Sequence, residues 1–433
     1  MLMFFDLAGL TLLAMSFVQT VLAALMPVVR RVPVPDGPGE SLNFTFLIPA
    51  LNEGRVIGAT VTTLRSLAPD AHIAVIDDGS DDDTAAVVRA LSVHDASITL
   101  LRRFSPHARQ GKGQALNWAA RSLLGGMRAA GRDLTREIVV IVDADGRITP
   151  GLLDEARAAM RDPRVSGAQA RVIIRPSGNR RGVGFVIGRV LERQQDLEFF
   201  VIRSVQRLRH RWRSVGLCGN GQFMRASYLH DQMTQGMAAW PDCLAEDFAS
   251  GLAMRLDAPH HRMVFLEAAV TQQGLPSLRR FLRQRARWAQ GTMQCLPYLP
   301  GLWSGRVALG ARLDLSYAIL APWLNAVIIL CLLTQPLRWL LDMRGIILSP
   351  ATSLTIAVVN IGLQWQWVLR YHRGHGLTVW PVVFTLASQP LYGMALSLSL
   401  PIAYWNHFTG RRTWDKTARH LEPVEPIQAV NGD

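Results

Sequence analysis

Short apolar runs alternate with longer amphipathic runs between Asn43 and about Ile148. The apolar runs predict strands Phe44–Leu51, Ile73–Asp77, Ile98–Leu101 and Ile138–Asp143, and the amphipathic runs predict helices Arg55–Leu67, Thr84–Leu91 and Gln114–Leu124. This alternation is typical of an α/β domain, a parallel sheet with helices on both faces, in which ligands bind beyond the carboxyl ends of the strands. Asp77 and Asp143 lie at such ends, so we expect their acidic clusters to meet in one crevice.

The pattern beyond this region is less regular. Gly167–Ile174 and Met263–Val270 are apolar enough to predict two further strands. The stretch from Arg171 to Arg225 is rich in arginine, which we expect at a solvated or lipid-facing surface. Residues 277–296 predict an amphipathic helix with Ser277 as its N-cap, and we expect this helix to lie along a membrane.

An apolar segment begins the chain. Leu2 to Val29 contains a single charge, and Arg30-Arg31 follow at once. The segment is long enough to span a bilayer, and a signal peptide would have basic residues first and a shorter apolar core. We therefore expect a retained anchor whose C-terminal end is cytoplasmic, because basic residues stay on that side.

Three further apolar stretches follow Arg312, and each is long enough to cross a membrane. They are Leu313–Leu333, Ile346–Leu369 and Leu377–Tyr404. Three crossings would place Arg411-Arg412 outside the cell, against the distribution expected for basic residues. One interpretation is that prolines break the last stretch into a re-entrant hairpin. The prolines are Pro381, Pro390 and Pro401.

Composition excludes two classes of protein. The formal net charge is +13, but almost every basic residue is arginine, which we attribute to a GC-rich, bacterial genome. The basic residues form no dense run, so they indicate a membrane surface and no nucleic acid as the partner. The four cysteines form no Cys-x-x-Cys pair, which argues against a zinc site or a disulfide framework and fits a reducing cytosolic face.

Asp143 and Asp145 follow a strand of Ile and Val, so both carboxylates are expected to enter the crevice. Two hard oxygen ligands beside a diphosphate suit Mg²⁺ or Mn²⁺. The alternative is a turn or helix cap, because Asp-x-Asp-Gly is common in loops. The position after a buried strand, together with the other clusters, favours the metal site.

Two more motifs of this domain predict donor contacts. Asp77 and Asp78 follow an apolar strand and could accept hydrogen bonds from a base or ribose, while Asp81 to Asp83 would cap the next helix. Lys112 lies between two glycines in a chain with only one other lysine, Lys416. We interpret Lys112 as a compact cation that binds the donor.

Glu246 and Asp247 open a predicted helix, Phe248–Leu256. They could be caps. As catalytic residues, one would deprotonate an acceptor hydroxyl, and Asp247 is the favoured base. No second carboxylate is placed as a nucleophile, so the sequence favours a single displacement that inverts the anomeric centre.

Gln284, Arg287 and Trp288 share one helical face, because they are spaced i, i+3 and i+4. Arg287 could bind a diphosphate with two hydrogen bonds, and Trp288 could offer a flat surface to a sugar ring. The alternative is an Arg/Trp helix that binds only lipid.

With these motifs in their order, the chain resembles the membrane-embedded family 2 glycosyltransferases, which include cellulose, hyaluronan, chitin and poly-N-acetylglucosamine synthases and related glycolipid synthases. The resemblance covers most of residues 44–295 and implies a GT-A fold and a donor that is usually a UDP-sugar. The matching segments are Ile48–Glu53, Asp77–Ser80, Gly111–Asn117, Asp143–Asp145, Cys218–Gly221, Glu246-Asp247 and Gln284–Trp288.

The resemblance also implies roles for single residues. Donor binding falls on Ala50, Asn52, Glu53, Asp77, Asp78, Lys112, Asp143, Asp145, Gln284 and Arg287, with Asp143 and Asp145 as metal ligands. Acceptor binding falls on Cys218, Gly219, Asn220 and Trp288, and catalysis on Asp247 with Glu246 beside it.

These expectations divide the chain into five parts. They are an anchor at 1–31, a cytoplasmic GT-A domain at 42–275, an interfacial helix region with the Gln-x-x-Arg-Trp motif at 276–312, membrane helices at 313–409 and a cytoplasmic tail at 410–433. The first hypothesis is a metal-dependent inverting transferase that extends a β-linked polysaccharide from UDP-glucose or UDP-N-acetylglucosamine, with an accessory export subunit as a possible partner. The second is transfer of one sugar to a lipid acceptor, and the third is a catalytically silent membrane scaffold.

Overall fold

The computed structural model describes residues 11, 14–15, 17–30, 41–177, 183–257, 261–341, 350–374 and 378–411. The strands are β1 (Asn43–Ala50), β2 (His72–Asp77), β3 (Ile98–Arg102), β4 (Glu137–Ile141), β5 (Arg147–Ile148), β6 (Val165–Arg175), β7 (Gln222–Arg225) and β8 (Arg262–Gln273). The longer helices are α1 (Ile57–Leu67), α2 (Thr84–His94), α3 (Lys112–Ala129), α4 (Leu152–Met160), α5 (Val183–Trp212), α6 (Ala226–Thr234), α7 (Glu246–Asp257), α8 (Leu278–Gln294), α9 (Leu309–Leu340), α10 (Pro350–Arg373) and α11 (Val379–Phe408). The strands form one mixed sheet in the order β3-β2-β1-β4-β7-β6-β8-β5.

The first four strands form the predicted parallel half of the sheet. β1 pairs in parallel with β2 and β4, and β2 pairs with β3. Phe46 and Ile48 of β1 belong to the core on the α1 side, while Leu47 belongs to the core on the α3 side. Because both faces are covered, these strands are apolar throughout. In this register Ala50 lies beside Asp77, so the loops that follow β1 and β2 share one edge.

The other half of the sheet reverses direction at β7, which is antiparallel to both β4 and β6. The expectation of an arginine-rich surface from 171 to 225 is wrong, since this stretch holds β7, most of β6 and the long helix α5. Arg203 and Arg225 are buried, and Arg207 pairs with Glu267 at 2.6 Å. Arg225 donates to the carbonyl oxygen of Val165 at 3.0 Å. Arg225 and Arg207 face inward because β6 offers the first a carbonyl oxygen and β8 offers the second a carboxylate.

The C-terminal helices pack against α8 and α5. Among the described residues, two segments are long and apolar enough to cross a membrane, Leu309–Leu330 and Val379–Phe408. The predicted re-entrant hairpin is wrong, because α11 is one continuous helix. Its first proline lies in the first turn, where a helix needs no backbone donor, and the two inside the helix, Pro390 and Pro401, are accommodated while α11 packs along α8.

The ends of the predicted membrane region are described only in part. Residues 1–10, 12–13, 16 and 31 of the predicted anchor and nearly all of the predicted tail lie outside the described residues, as do residues 346–349 of the second predicted span. Residues 17–24 are helical. Gln19 donates to Asp314 of α9 at 3.0 Å, and Arg370 of α10 donates to the carbonyl oxygen of Ala24 at 2.6 Å. The N-terminal segment therefore packs against the C-terminal helices.

The structure predicts a large stability effect at Asn117 of α3. Its side chain donates to the carbonyl oxygen of Trp240 at 2.6 Å and accepts from the same residue's N–H at 3.2 Å. Both residues are buried. Asn117→Ala leaves two buried backbone groups unpaired and should lower the free energy of unfolding by about 3 kcal/mol. Thermal unfolding in detergent measures this loss, and Arg121→Ala on the exposed face of α3 is the control that should change little.

Candidate functional site

A cleft of about 380 Å³ opens at the carboxyl ends of β1 and β4. The starts of α3 and α7 form one side of it, and α5 and α8 complete it. Twelve of the residues predicted for the site line it together: Glu53, Lys112, Asp143, Asp145, Cys218, Gly219, Asn220, Glu246, Asp247, Gln284, Arg287 and Trp288. Ala50, Asn52, Asp77 and Asp78 do not line this cleft. The fold thus gathers carboxylates from distant parts of the chain around one cavity.

Asp77 and Asp78 lie outside the cleft lining, and each carboxylate is bound by an arginine. Asp77 accepts a hydrogen bond from Arg102 at 3.0 Å, and Asp78 accepts one from Arg103 at 2.7 Å. Both carboxylates are fully buried. Burial raises the pKa of Asp78, although Arg103 acts in the opposite direction. The predicted contact of these residues with a nucleoside therefore stays a prediction.

The loop after β1 is tied to the loop after β2 through Asn52. The side-chain oxygen of Asn52 accepts from the N–H of Asp81 at 2.8 Å, and its own N–H donates to Ser80 at 2.9 Å. Its φ is 54°, a left-handed conformation that asparagine adopts more readily than most residues. Asn52 thus shapes the loop, and its neighbour Glu53 is the residue of this loop that reaches the cleft.

Lys112 lies at the centre of the acidic residues. Its ammonium nitrogen is 2.6 Å from Oδ1 of Asp143 and 2.9 Å from the carbonyl oxygen of Gly219. Burial opposes the charge of Lys112, but the carboxylates of Asp143 and Glu246 outweigh it and raise the pKa of the lysine. The cation therefore stays charged and links the end of β4 to the loop before β7.

Residues of β8 hold the Asp143–Asp145 pair in place. The N–H of Gln273 donates to Oδ2 of Asp145 at 2.8 Å. Asn220 accepts from the N–H of Asp143 at 3.2 Å and donates to Gln272 at 3.1 Å. Gln272 and Gln273 were not among the residues predicted for the site. The adjacent glutamines at the end of an apolar strand were the only signal.

Glu246 and Asp247 form a coupled acidic pair at the start of α7. Burial, with the negative charge of Asp247, raises the pKa of Glu246 to about 7, against the influence of Lys112. Burial also raises the pKa of Asp247, and Lys112 again lowers it. Oδ1 of Asp247 accepts from the N–H of Phe248 at 2.7 Å. Near neutral pH this pair can hold a single proton, which leaves one of the two carboxylates able to accept another.

Helix α8 brings the Gln-x-x-Arg-Trp motif to the cleft beside the start of α7. The side chains of Gln284 and Arg287 line the cleft and have no hydrogen bond or ion pair with the described part of the chain. The helix can approach α7 closely because residue 291 is glycine, where a Cβ atom would come within 2.5 Å of the nitrogen of Ala245. The side chain of Arg287 can therefore bind an anion in the cleft, near the carboxylates of Glu246 and Asp247.

A second arginine of the motif, Arg285, has a structural contact that the sequence analysis missed. It donates to Glu198 of α5 at 2.7 Å and lies 4.2 Å from the ring centre of Trp288. Phe199 meets the same ring edge-on, with centroids 6.4 Å apart. Trp288 is therefore fixed between α5 and α8, which leaves less than its full surface for a ligand.

Helix α5 supplies four further residues that were not predicted for the site. Phe199, Ile202, Gln206 and Arg209 all line the cleft, beside the loop that carries Cys218. Gln206 bonds to both backbone groups of Gly216, which precedes that loop. The sequence showed this segment as rich in arginine, and that richness hid its apolar inner face. One half of the cleft is consequently acidic and basic, and the other half is largely apolar.

Comparison with known proteins identifies the fold and the class of activity. A family profile described as "Glycosyltransferase like family 2" matches residues 41–291. The chain belongs to this family. It is a glycosyltransferase with a GT-A fold, as the resemblance of its motifs implied. A search of curated protein sequences finds no match.

A solved mannosyltransferase structure agrees with the fold, and two further structures match less well. A mannosyltransferase from Pyrobaculum calidifontis, PcManGT, in complex with GDP-Man and Mn²⁺, superimposes with a TM-score of 0.58 over 94% of this chain and 100% of its own, at 18% identity. Mannosyl-3-phosphoglycerate synthase from Rubrobacter xylanophilus gives a TM-score of 0.37 over 62% of this chain and 77% of its own, at 16% identity. Glucosyl-3-phosphoglycerate synthase from Mycobacterium tuberculosis, with Mn²⁺, UDP and glucosyl-3-phosphoglycerate, gives 0.38 over 62% of this chain and 88% of its own, at 17% identity. At these identities the first match shows the fold alone.

The residues of the site fit a divalent cation that is shared with a diphosphate. Asp143 and Asp145 line the same cleft and present hard oxygen ligands. Among the described residues, no three side chains of His, Cys, Asp or Glu cluster as a complete metal site. A protein with two carboxylates leaves the remaining positions to phosphate oxygens and water, which is how Mg²⁺ is usually held beside a phosphorylated ligand.

Gly219→Ala should lower activity while leaving the fold intact. A Cβ atom at this position would lie 2.7 Å from the ammonium nitrogen of Lys112 and 3.2 Å from Oδ2 of Asp247. Both are ends of flexible side chains, so they would move aside and the acidic pair would lose its geometry. We expect kcat/KM to fall about 100-fold, the cost of a displacement near 1 Å in an active site. In the control Gly125→Ala a Cβ atom meets nothing within 4 Å, and activity should be kept.

Lys112→Met should move the acid limb of the pH profile upward. Lys112 lowers the pKa of Asp247, so its removal raises that pKa, and the unprotonated base then appears only at higher pH. We expect the limb of kcat/KM to move to higher pH. Lys112→Arg retains the charge and should leave the limb in place, whatever its rate. A limb that does not move in the Met variant contradicts the role of Asp247 as the titrating base.

Proposed function

We propose that this protein is an inverting, metal-dependent transferase that moves a sugar from a nucleoside-diphosphate donor to an acceptor at a membrane. The observation that carries the proposal is that one acidic pair, Glu246 and Asp247, shares a single cleft with Arg287, whose side chain has no ion pair among the described residues. A base for the acceptor and a cation for the departing diphosphate are the two groups that a single displacement needs.

The donor occupies the polar half of the cleft in this proposal. Arg287 and Gln284 bind the diphosphate from α8, and Lys112 balances the negative charge from below. Asp143 and Asp145 would hold Mg²⁺ or Mn²⁺, which neutralises charge that develops on the leaving nucleotide. Asp77 and Asp78 would contact the nucleoside after Arg102 and Arg103 yield some of their hydrogen bonds. A UDP-sugar is the expected donor, and GDP-mannose, which the Pyrobaculum protein binds, is the alternative.

Asp247 accepts the proton of the acceptor hydroxyl as the new glycosidic bond forms. Glu246, with a pKa of about 7, is largely protonated below neutral pH and then does not compete for the same cation. The sugar inverts because the acceptor oxygen attacks from the side opposite the diphosphate. No covalent intermediate with the protein is part of this mechanism.

The acceptor half of the cleft favours a lipid-linked acceptor. Phe199 and Ile202 of α5 give this half an apolar wall. α5 also packs against α10 and α11, two of the apolar C-terminal helices. An acceptor with an apolar chain can therefore reach the cleft along α5, and one sugar is then transferred to each molecule. Catalysis would take place on the cytoplasmic side of a cell membrane, with the protein attached through several helices.

A growing β-linked polysaccharide is the second candidate acceptor. Trp288 lines the cleft beside the predicted acceptor residues Cys218 and Asn220, and an indole ring is a common surface for a sugar ring. A polymer acceptor would also require an exit path, through the C-terminal helices or through an accessory export subunit.

Asp247→Asn should abolish transfer and keep donor binding. Purified protein in detergent is incubated with Mn²⁺, a lipid extract and labelled UDP-glucose, UDP-N-acetylglucosamine or GDP-mannose. The wild-type protein should give a product of one mass that extracts into organic solvent, and the variant should lose at least about 100-fold of the rate, as expected for a missing general base. Asp231→Asn on the surface of α6 is the control with full activity.

The products distinguish the candidates. A size-dispersed product that a glycosidase degrades replaces the lipid acceptor with the polysaccharide. Full activity of Asp247→Asn removes Asp247 as the base. Binding of a nucleotide sugar with no transfer to any acceptor, in the wild-type protein, would support a silent scaffold and overturn the proposal.

A further inference from the structure

Helix α11 has the length and apolar character of a membrane span, yet its start is bound to the catalytic domain. Gln194 of α5 donates to the carbonyl oxygen of Thr385 at 2.7 Å and to the hydroxyl of Ser388 at 2.7 Å. Val382 packs in the same core cluster as Leu197 of α5. The first three turns of α11 therefore lie against α5.

The middle of α11 is bound to the same domain. Tyr392 donates to the carboxylate of Glu198, which also accepts a hydrogen bond from Arg285 of α8. The rings of Tyr392 and Phe281 are 5.3 Å apart. A charged pair of α5 and α8 thus meets α11 halfway along its length, where a helix that crossed a bilayer would be surrounded by hydrocarbon.

The end of α11 returns to α8. Ala403 packs with Ala286 and Met293 of that helix. Just beyond the end of α11, the carbonyl oxygen of Arg411 accepts from Gln290 at 2.7 Å. α11 therefore runs along α8 and contacts it from its middle to its end, and α5 covers its start.

The neighbour along which α11 runs cannot lie across a bilayer. Helix α8 carries five arginines in ten residues: Arg279, Arg280, Arg283, Arg285 and Arg287. Charged side chains in the hydrocarbon core are costly and rare. From Val382 to Phe408, α11 measures about 39 Å at 1.5 Å per residue, which exceeds the hydrocarbon thickness of about 30 Å. A crossing α11 would have to leave α8 along most of this length, and it does not.

The opposite face of α11 is apolar and exposed. Phe384, Leu391, Leu398 and Trp405 are exposed by 61%, 64%, 56% and 62%. They are spaced by seven residues, or about two helical turns, so they share one face. A row of exposed aromatic and aliphatic side chains with a tryptophan near its end is the pattern of a helix at a membrane interface.

We propose that α11 lies in the plane of the membrane surface, with its outer face in the headgroup and upper acyl region of the bilayer. This proposal rests on the membrane attachment that is part of the proposed function. Both ends of the helix then stay on the side of the catalytic domain. Arg411, which three crossings would have placed outside, stays with the arginines of α8, as the distribution of basic residues requires.

Spin labels on the outer face test this orientation. A spin-labelled derivative of p-acetylphenylalanine replaces Phe384, Leu391, Leu398 or Trp405, one at a time, in the full-length protein in nanodiscs of phosphatidylcholine and phosphatidylglycerol. Depth is measured from the relaxation caused by oxygen and by a water-soluble nickel chelate. The four labels should lie at one shallow depth, within about one helical turn, or 5 Å, of each other.

Labels on α9 are the matched control. Leu313 and Leu330 are also exposed, by 50% and 54%, and they lie 17 residues apart on a helix whose residues 309–330 could cross a membrane. Their positions along the membrane normal should differ by about 25 Å. A monotonic gradient of that size along α11 shows a crossing helix, and a maximum of depth at Leu391 and Leu398 shows a dip into the core; either overturns the proposal. Labels that remain in water at all four α11 positions overturn the membrane attachment itself.

Discussion

The site depends on the ammonium group of Lys112, which lies in a cavity that five carboxylates line. Asp143 lies 2.6 Å from this group, and Glu246 and Asp247 both feel its charge. Without this cation, Glu246 and Asp247 would take up protons more readily, because burial already raises their pKa values and Lys112 opposes that effect. Lys112 can serve because its charge sits at the end of a thin side chain, whereas a guanidinium would have to fit beside Gly219.

A second set of ion pairs joins the catalytic domain to the C-terminal helices. Arg209 of α5 pairs with Asp314 of α9 at 3.0 Å, and Arg285 of α8 pairs with Glu198 of α5 at 2.7 Å. Such pairs add little net stability when desolvated, but breaking one leaves a buried charge alone. These ion pairs therefore fix the position of α9 and α8 relative to α5. Phe199 and Ile202, which line the cleft, lie on α5, so the position of the C-terminal helices affects the shape of the cleft.

The sequence predicted the parallel half of the sheet and twelve of the residues that line the cleft. Strands buried on both faces are continuous apolar runs, and the carboxylates after β4 could be placed at once. The antiparallel half escaped prediction because its arginines, such as Arg207 and Arg225, bind groups that are distant in sequence. The same holds for α11, whose prolines suggested a break while contacts from α5 and α8 keep it continuous.

The proposed position of α11 has a consequence for how two unlike substrates meet. A nucleotide sugar is water-soluble, whereas a lipid-linked acceptor stays in the bilayer. α5 contacts α11 on one side and lines the cleft with Phe199 and Ile202 on the other, so only the thickness of one helix separates the membrane surface from the apolar half of the cleft. An acceptor head can then reach Asp247 while its chain remains in lipid. The donor approaches from the polar side, between Lys112 and Arg287, and neither substrate has to cross the environment of the other.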